Sequence, residues 1–468
     1  MVEGTVFGPP PSHTDPVARD WSERVGGPVG DHRRPHRWLT PVRVLLAVFT
    51  IVSCLGIVAK VPCLQTHWTN NEVRYATMCY SDIPYLYTGR GMAEQTWPYA
   101  DTHGRYQVME YPVGISYFAW GAAWLTKPFA AGPPDAVRAA ASPADLFGLT
   151  GMTTEVNQYF LGNAVLLIAA GLLATYFLAG AHRRRPWDAM AFAASPVLLL
   201  TGLINWDLLA VTTVAGAFWA WARGRPVLAG AFLGLGTATK LYPLFLFGAM
   251  LVVCLRRGQP KVFAKALAAG LVTWLVVNLP ALLTGFEQWK VFWTFNAARG
   301  PDLGSLWLMA SNLGHPATSG AVNLTSWVLF SLACVAILVL GLTAKHPPRM
   351  AQLGFLVVAS FLLVNKVYSP QYVLWLLPLA VLARPRWRDL VIWQACELVY
   401  FAGVWFYLGG FTASATTGAP DPAYLAAIAI RVVGEVYLMV LVTRDILDPR
   451  RDPVRNGRTL VELGVAQA

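Results

Sequence analysis

Charged side chains are scarce in this sequence. Asp, Glu, Lys and Arg make up 13% of its 468 residues, hydrophobic residues make up 56%, and mean hydropathy is +0.47. A soluble domain cannot bury that share of apolar side chains. The apolar residues form about a dozen stretches, many close to the ~20 residues that a helix needs to cross a bilayer. The composition therefore predicts an all-α, polytopic transmembrane bundle, because helices satisfy their own backbone hydrogen bonds in lipid.

Several signatures of soluble enzymes are also missing. The sequence has no P-loop, no Gly-rich dinucleotide fingerprint, no zinc-type spacing of His and Cys and no Gly-x-Ser-x-Gly elbow. We therefore expect neither a nucleotide cofactor nor a metal. The excess positive charge, +11 at neutral pH, is spread over short loops rather than gathered in one block. This pattern is typical of orientation signals and of contact with anionic lipids, and it argues against nucleic-acid binding.

The apolar stretches define a membrane domain over residues 41–445. A Pro-, Gly- and charge-rich tail at 1–40 and a second tail at 446–468 flank it, and both are predicted to be disordered and cytoplasmic. Basic clusters mark the cytoplasmic ends of the spans. With both termini inside, the number of crossings must be even, so at least one of the thirteen stretches does not cross. The stretches are 41–61, 112–130, 157–181, 188–203, 207–222, 227–239, 242–255, 263–285, 321–344, 350–365, 371–384, 388–410 and 424–443.

Two pairs of short stretches, 188–222 and 227–255, have basic residues at both flanks. This pattern predicts two hairpins whose tips, Asn205-Trp206-Asp207 and Lys240, approach the outer face without full exposure to lipid. Lys240 interrupts an otherwise apolar sequence, so it either snorkels to the interface or is paired. A lipid phosphate in the outer leaflet would be a fitting partner.

The first predicted outer loop contains a carboxylate among aromatic residues, Asp82 in Cys79-Tyr80-Ser81-Asp82-Ile83-Pro84-Tyr85. A carboxylate sheltered from bulk water can take a proton from an attacking hydroxyl, and a pKa raised by burial would make it a better base near neutrality. Alternatively, Asp82 caps a short interfacial helix, whose first turn tolerates Pro84. The two roles are not exclusive.

Two of the six cysteines, Cys63 and Cys79, fall in the same outer loop. An oxidising environment there would permit a disulfide, which would stabilise the loop by about 3 kcal/mol and brace the backbone before Asp82. Two free thiols are the alternative. The other four cysteines lie inside apolar stretches, where Cys behaves as a small hydrophobic residue.

Further charges lie at the predicted membrane edge, where they usually face a cavity. Glu110 opens the second stretch, as a site acid or as an interface anchor. Arg299 and Lys366 lie in two later outer turns. Together with Lys240 they would suit a phosphate leaving group if the three cations converge, and otherwise they snorkel.

The last two apolar stretches each carry a charge of opposite sign. We expect Glu397 and Arg431 to form an intramembrane ion pair that ties these two helices together.

A series of motifs follows the acid of the first outer loop, and its members are Glu110-Tyr111-Pro112, Asn205-Trp206-Asp207-Leu208-Leu209-Ala210, Gly234-Leu235-Gly236-Thr237-Ala238-Thr239-Lys240-Leu241-Tyr242-Pro243 and Ser369-Pro370-Gln371-Tyr372. In this order they resemble glycosyltransferase family 87, over about residues 41–445. The family comprises bacterial polyprenyl-phosphate-mannose-dependent mannosyltransferases of the GT-C architecture. The resemblance implies juxtamembrane helices in the first outer loop and an active site on the extracytoplasmic side of the plasma membrane.

The resemblance also implies a reaction. A hexose, expected to be mannose, would pass with inversion from polyprenyl phosphate to a glycolipid or lipoglycan acceptor, with Asp82 as the base. The partners would be this lipid-linked donor, the acceptor and membrane lipids, without a cofactor or metal. The candidate substrate- and phosphate-binding residues are Lys240, Lys366, Arg299, Glu110, Asp207, Tyr242, Tyr368 and Gln371.

Two other functions fit part of the pattern. Intramembrane charges and broken spans also mark transporters and lipid-linked sugar flippases, although a transporter should show internal repeats and we find none. A non-catalytic subunit of a cell-envelope assembly complex would use the outer-loop charges as partner contacts. Formation of a new glycolipid separates the enzyme from both.

Overall fold

The computed structural model describes residues 38–182, 185–412 and 421–455. These residues form helices, turns and loops without any strand, which confirms the predicted all-α architecture. The chain divides into a unit at Met1–Val44 and a larger unit at Leu45–Ala468, and every site residue discussed below belongs to the larger one. Residues 1–37 of the predicted N-terminal tail and 456–468 of the predicted C-terminal tail lie outside the described residues.

The described residues contain α-helices of very different lengths. Six of these helices, Pro41–Val58, Met152–Ala181, Pro260–Thr284, Ser319–Thr343, Trp387–Leu408 and Pro422–Leu447, are long and apolar enough to cross a membrane. The chain is therefore a multi-pass membrane protein. The helices are α1 Pro41–Val58, α2 Val61–Gln65, α3 Asn71–Ala76, α4 Ile83–Gly89, α5 Val113–Thr126, α6 Asp135–Ala140, α7 Met152–Ala181, α8 Met190–Ala193, α9 Pro196–Thr201, α10 Asp207–Trp221, α11 Pro226–Thr237, α12 Leu246–Arg256, α13 Pro260–Thr284, α14 Phe286–Ala298, α15 Leu306–Asn312, α16 Ser319–Thr343, α17 Met350–Val364, α18 Val373–Ala383, α19 Trp387–Leu408 and α20 Pro422–Leu447.

Local sequence signals set where many of these helices begin. Helices α11 and α13 start at Pro226 and Pro260, positions where the missing N–H of proline would have no partner inside the helix. Ser305 and Thr318 precede α15 and α16, and their hydroxyl oxygens accept first-turn N–H groups at 3.0 and 3.3 Å. The helix boundaries therefore follow from local chemistry as well as from hydropathy.

Both stretches predicted to be hairpins are broken near their middles. The first is interrupted at 202–206, between α9 and α10, and the second at 238–241, between α11 and a 3-10 turn at Tyr242–Phe245. Residues of both breaks line the same cavity, together with Asp82 of the first loop. These segments meet at one end of the bundle, and we call that end the loop end.

Close helix packing positions the second of these breaks. A Cβ atom added at Gly234 of α11 would lie 2.1 Å from the carbonyl oxygen of Gly270 in α13, and one added at Gly230 would lie 1.9 Å from the carbonyl oxygen of Ala266. Only glycine permits this approach, as in other small-xxx-small contacts between membrane helices. The contact fixes α11, which ends at Thr237, three residues before Lys240.

The polar stretch 131–156 contains a buried ion pair whose two members each bond to the first loop. Arg138 donates to both carboxylate oxygens of Glu155 at 2.6 and 2.7 Å, and both side chains are about 2% exposed. The same guanidinium donates to the carbonyl of Ala93, and the hydroxyl of Tyr87 in α4 donates to Glu155. These two bonds tie the stretch to the first loop.

The described part of the predicted C-terminal tail is folded against the bundle. Asp452 is fully buried and pairs with Arg349 at 2.9 Å, and Arg349 also donates to the carbonyls that end α18. The prediction of disorder is therefore wrong for residues 446–455, because the buried ion pair holds them in place.

The predicted ion pair between Glu397 and Arg431 is also wrong. Arg431 pairs at 2.8 Å with Glu435, one turn further along its own helix. Glu397 instead accepts hydrogen bonds from Tyr368 at 3.1 and 3.0 Å, and the Arg431 guanidinium lies 3.8 Å from the centroid of that ring. Helices α19 and α20 are therefore linked through an aromatic ring, because Tyr368 occupies the space between the two charges.

Candidate active site

A cavity of about 740 Å³ lies at the loop end. Its walls come from the first loop, the two broken stretches, α14, α16, α17, the turn before α18 and the last residues of α19. Six of the predicted site residues line it, and these are Asp82, Glu110, Lys240, Arg299, Lys366 and Gln371. Residues separated by almost 290 positions thus border one space.

Asp82 is held at the cavity by its backbone and by two side chains. Its N–H donates to the carbonyl of Ile204 at 2.8 Å. The hydroxyl of Tyr80 donates to Oδ1 at 2.7 Å, and Nδ2 of Asn205 donates to Oδ2 at 2.8 Å. Asp82 stands at the N-cap position of α4, yet its carboxylate makes no capping hydrogen bond. The interpretation of Asp82 as a helix cap is therefore wrong.

The surroundings of Asp82 make its carboxylate more basic than an ordinary one. Burial raises the pKa of its carboxyl group, and the hydrogen bonds from Tyr80 and Asn205 and the charge of Lys240 oppose this shift. The carboxylate keeps lone pairs for a further donor, since each oxygen accepts one of these two hydrogen bonds. Such a group suits general-base chemistry.

The segment before Asp82 is tied down at several points. The structure joins Cys63 and Cys79 in a disulfide with a Cα–Cα distance of 5.7 Å. The ammonium of Lys60 donates to the carbonyl of Tyr80 at 2.8 Å, and burial lowers the pKa of Lys60 to about 7. The hydroxyl of Ser81 donates to the carbonyl of Leu203 at 2.8 Å. The candidate base is thus carried by a braced loop.

Lys240 is fixed by a buried acid behind the cavity wall. Its Nζ lies 3.3 Å from Oδ1 of Asp207, and the indole N–H of Trp375 donates to the same oxygen at 2.7 Å. The ammonium also lies 4.8 Å from the centroid of the Tyr111 ring. Lys240 is therefore paired rather than snorkelling. Asp207 is fully buried and does not line the cavity, and its carboxylate holds Lys240 from behind the wall.

Tyr242 and Tyr368 also lie behind the wall. Both are fully buried and neither lines the cavity, so the structure does not bring them to the space that the other predicted residues share. Tyr242 stacks on Trp375 at 4.7 Å, and the opposite stacking partner of Trp375, Tyr372 at 4.0 Å, does line the cavity. Both tyrosines fill space between the helices that carry the site.

The two remaining predicted cations are already bonded within the protein. Lys366 donates at 2.6 Å to the carbonyls of Asn296 and Arg299 and to Oδ1 of Asn323, so all three of its N–H donors are used. Burial lowers the pKa of Lys366, and the nearby charge of Arg299 adds to the shift. Arg299 is itself paired with Asp302. Lys366 therefore fastens the end of α14 to α16.

The acids and amides of the site are distributed along different walls. Glu110 is paired with Arg90 at 3.0 Å, whereas Gln371 is 5% exposed in the turn before α18.

Sequence reasoning missed the hydrogen-bonding roles of Lys60 and Tyr80. Asn205 carried a signal, because it begins a motif at the tip of a predicted hairpin.

One wall of the cavity is apolar. It is formed by aromatic side chains of α14, α16 and α17, and its members are Phe292, Trp293, Phe295, Trp327, Phe330 and Phe361. Helices α14 and α16 bury few of their residues, whereas α17 is mostly buried. Phe330 and Phe361 pack edge to face at 5.4 Å. The cavity thus combines a polar part around Asp82 with an apolar part next to helices that could face lipid.

Comparison with known families decides what kind of protein this is. The model of glycosyltransferase family 87 matches residues 121–365, just over half of the chain. The chain belongs to glycosyltransferase family 87. A search of curated proteins found no match.

Membership of family 87 makes the chain a membrane glycosyltransferase. The matched range contains Asn205, Lys240 and Arg299, whereas Asp82 lies before it and Gln371 after it. The matched range and the cavity walls overlap in the two broken stretches, in α14 and the loop after it, and in α16 and α17.

Proposed function

We propose that this family 87 glycosyltransferase moves a hexose, with mannose the expected sugar, from polyprenyl phosphate to a glycolipid or lipoglycan acceptor. The reaction would take place on the extracytoplasmic side of the plasma membrane and invert the anomeric centre. The observation that supports this most is the composition of one cavity. It places the carboxylate of Asp82, the cations Lys240, Lys366 and Arg299 and a large apolar wall around a single space.

In the proposed mechanism Asp82 accepts the proton of an acceptor hydroxyl. The hydroxyl oxygen forms a bond to the anomeric carbon as the bond between that carbon and the phosphate oxygen breaks. The electron pair leaves with polyprenyl phosphate, and the charge that develops on its oxygen is opposed by Lys240, Lys366 and Arg299. A single displacement from the face opposite the leaving group inverts the centre, as in hydrolases that pair a carboxylate base with one attack.

The apolar wall supports a lipid-linked donor. An isoprenoid chain needs apolar surface that continues into the bilayer, and α16 presents exposed Leu324, Val328 and Leu332 beside the wall residue Trp327. Cations fixed by internal partners, as Lys240 and Arg299 are, need no reorganisation when phosphate binds. The proposed mechanism therefore uses no metal to stabilise the leaving group.

The test is transfer of labelled sugar from polyprenyl phosphate to a membrane lipid extract by the purified protein. Asp82→Asn keeps the size of the side chain but removes its basicity, so transfer should fall at least ~100-fold. Asp101→Asn is the matched control, because Asp101 is 68% exposed and does not line the cavity. Wild-type turnover in the Asp82→Asn protein would rule out the mechanism. Movement of intact donor across the membrane without a new glycolipid would favour the transporter or flippase.

A further inference from the structure

Tyr111, at the wall of the cavity, has a hydroxyl group whose proton is not used within the protein. The residue lines the cavity and is half-buried there. Its hydroxyl oxygen accepts a hydrogen bond from Nδ2 of Asn205 at 2.7 Å, and the same nitrogen donates to Oδ2 of Asp82 at 2.8 Å. Among the residues that the structure describes, none accepts the hydroxyl proton of Tyr111. An O–H donor is therefore available next to the candidate base.

The carboxylate of Asp82 fixes the direction of these hydrogen bonds. A carboxylate only accepts, so the Asn205 atom that faces it is the amide nitrogen. Both hydrogens of that nitrogen are used, and Oδ1 of Asn205 accepts the N–H of Trp206 at 2.6 Å. The Tyr111 proton is thus directed away from Asn205. Burial and the charges of Asp82 and Glu110 raise the pKa of Tyr111 well above its ordinary value, so the hydroxyl keeps its proton.

The ring of Tyr111 is held between the two broken stretches. It meets the ring of Trp206 edge to face at 6.2 Å, and the ammonium of Lys240 lies 4.8 Å from its centroid. Three residues further along the chain, the N–H of Gly114 donates to the carbonyl of Ala238 at 2.7 Å. The hydroxyl end of Tyr111 therefore lies beside the candidate base, and its ring lies beside a cation proposed to face the leaving phosphate.

We propose that the hydroxyl of Tyr111 donates a hydrogen bond to the oxygen on C2 of the transferred hexose, so that this residue determines which sugar is accepted. The inference rests on the proposed function. It adds a specificity-determining residue on the side of the donor sugar.

The geometry of an inverting displacement assigns Tyr111 to the transferred sugar. The attacking oxygen and the leaving oxygen lie on opposite faces of the anomeric carbon. With Asp82 at the attacking oxygen and Lys240 at the leaving phosphate, that carbon lies between them and beside Tyr111. Its neighbours in the sugar ring are the ring oxygen and C2, and of these two C2 carries a hydroxyl group. In glycoside hydrolysis, hydrogen bonds to this hydroxyl strengthen in the transition state.

A fixed donor at this place makes the site selective. A site that hydrogen-bonds a substrate hydroxyl discriminates against an analogue without it, because the polar group of the protein is then left unpaired. Mannose and glucose differ only in the configuration at C2. Since the contacts with Asn205 and Lys240 hold Tyr111 before a substrate binds, its hydroxyl distinguishes the two positions that the C2 oxygen can take.

The test compares donors that differ by one hydroxyl group. The purified protein is given polyprenyl-phosphate mannose and the 2-deoxy and 6-deoxy analogues of this donor, and kcat/KM is measured for each. The wild type should use the mannose donor at least about tenfold more efficiently than the 2-deoxy donor. Equal use of these two donors by the wild type would overturn the proposal without the need for any variant.

Tyr111→Phe removes the hydroxyl and keeps the ring that contacts Lys240. In this variant the preference for mannose over the 2-deoxy donor should shrink about tenfold, while the preference over the 6-deoxy donor stays within about twofold of the wild-type value. Each preference is a ratio measured on one protein, so the intrinsic reactivity of the donors and a partial loss of folded protein both cancel.

Tyr176→Phe is the matched control, because Tyr176 lies in α7, is 46% exposed and does not line the cavity. It should keep both preferences of the wild type. An equal loss with all three donors in Tyr111→Phe would overturn the proposal, since the hydroxyl would then act through Asn205 on Asp82. A change confined to the 6-deoxy donor would also overturn it. If the wild type transfers no sugar from polyprenyl phosphate, the proposed function fails instead.

Discussion

Tyr80 sets the protonation of the candidate base. Its hydroxyl donates to Asp82, and this bond favours the carboxylate against burial, which raises the pKa of Asp82. Only the carboxylate accepts a proton, so transfer falls as pH drops through this pKa. Tyr80→Phe removes the bond and raises the pKa further, and the acid limb of the kcat/KM profile should move about one pH unit upward.

The control for this shift is Tyr85→Phe. The hydroxyl of Tyr85 donates to the carbonyl of Trp68 rather than to Asp82, so the acid limb should stay in place. A lower rate at every pH in Tyr80→Phe, with an unmoved limb, would show that Tyr80 positions substrate without tuning Asp82.

For individual residues, the sequence identifies the charged side chains of the site more readily than the polar side chains that hydrogen-bond to them. Asp82 and Lys240 stand out because an ion in apolar sequence is costly, whatever surrounds it. Asn205 and Tyr80 are ordinary polar residues, and only the fold places them 2.8 and 2.7 Å from the same carboxylate. The Glu397–Arg431 pair was predicted wrongly because Arg431 has a nearer acid, Glu435, one turn along its own helix.

Among the helices, the close contact of α11 with α13 can be tested by adding a single methyl group. In Gly234→Ala the new Cβ would lie 2.1 Å from the carbonyl oxygen of Gly270, so the helices must separate. We expect a loss of about 1–3 kcal/mol in stability, measured as a lower melting temperature in detergent micelles. Transfer should fall too, because α11 leads directly to Lys240.

Gly248→Ala tests the same change where space is open. Gly248 lies in α12 with no atom within 4 Å of an added Cβ, and alanine favours a helix over glycine by up to ~1 kcal/mol. This variant should be as stable as the wild type or more so. Equal melting temperatures for the two variants would contradict a tight helix contact.

The helices themselves were predictable because hydropathy and proline act locally. The stretch predicted at 350–365 is the helix Met350–Val364, and the break predicted near Lys240 is present. The position of the polar stretch 131–156 could not be predicted, since its buried partners, Ala93 and Tyr87, belong to a loop that is distant in sequence. Sequence periodicity carries no information about such contacts.

Across the whole molecule, the site depends on segments that only the complete bundle brings together. Asp82 and Lys366 are 284 positions apart in the sequence and line one cavity. Individual cations could be predicted, but their convergence could not, because it results from the packing of α11, α14, α16 and α17. The order of the family motifs was the indirect signal that they share a site.

The first loop is closed on itself by its disulfide, and it joins this assembly through Asp82. Replacing Cys63 and Cys79 together by serine removes a link that closes a loop of 16 residues, worth up to about 3 kcal/mol. The hydrogen bond from Asp82 to Ile204 and the one from Ser81 to Leu203 remain, so we expect the loop to open locally while the helices stay packed. Amide hydrogen exchange should become faster at 61–82 and transfer should fall.

The extent of the faster exchange shows whether the disulfide stabilises only the first loop, which carries Asp82, or the whole membrane domain. In the double serine variant, amides of α10 and α13 should exchange at the wild-type rate, because their packing does not involve the disulfide. Cys54→Ser is the control, since Cys54 is an exposed free thiol of α1. Faster exchange throughout the bundle would mean that the first loop supports the entire membrane domain, and the loss of transfer would then no longer report on Asp82.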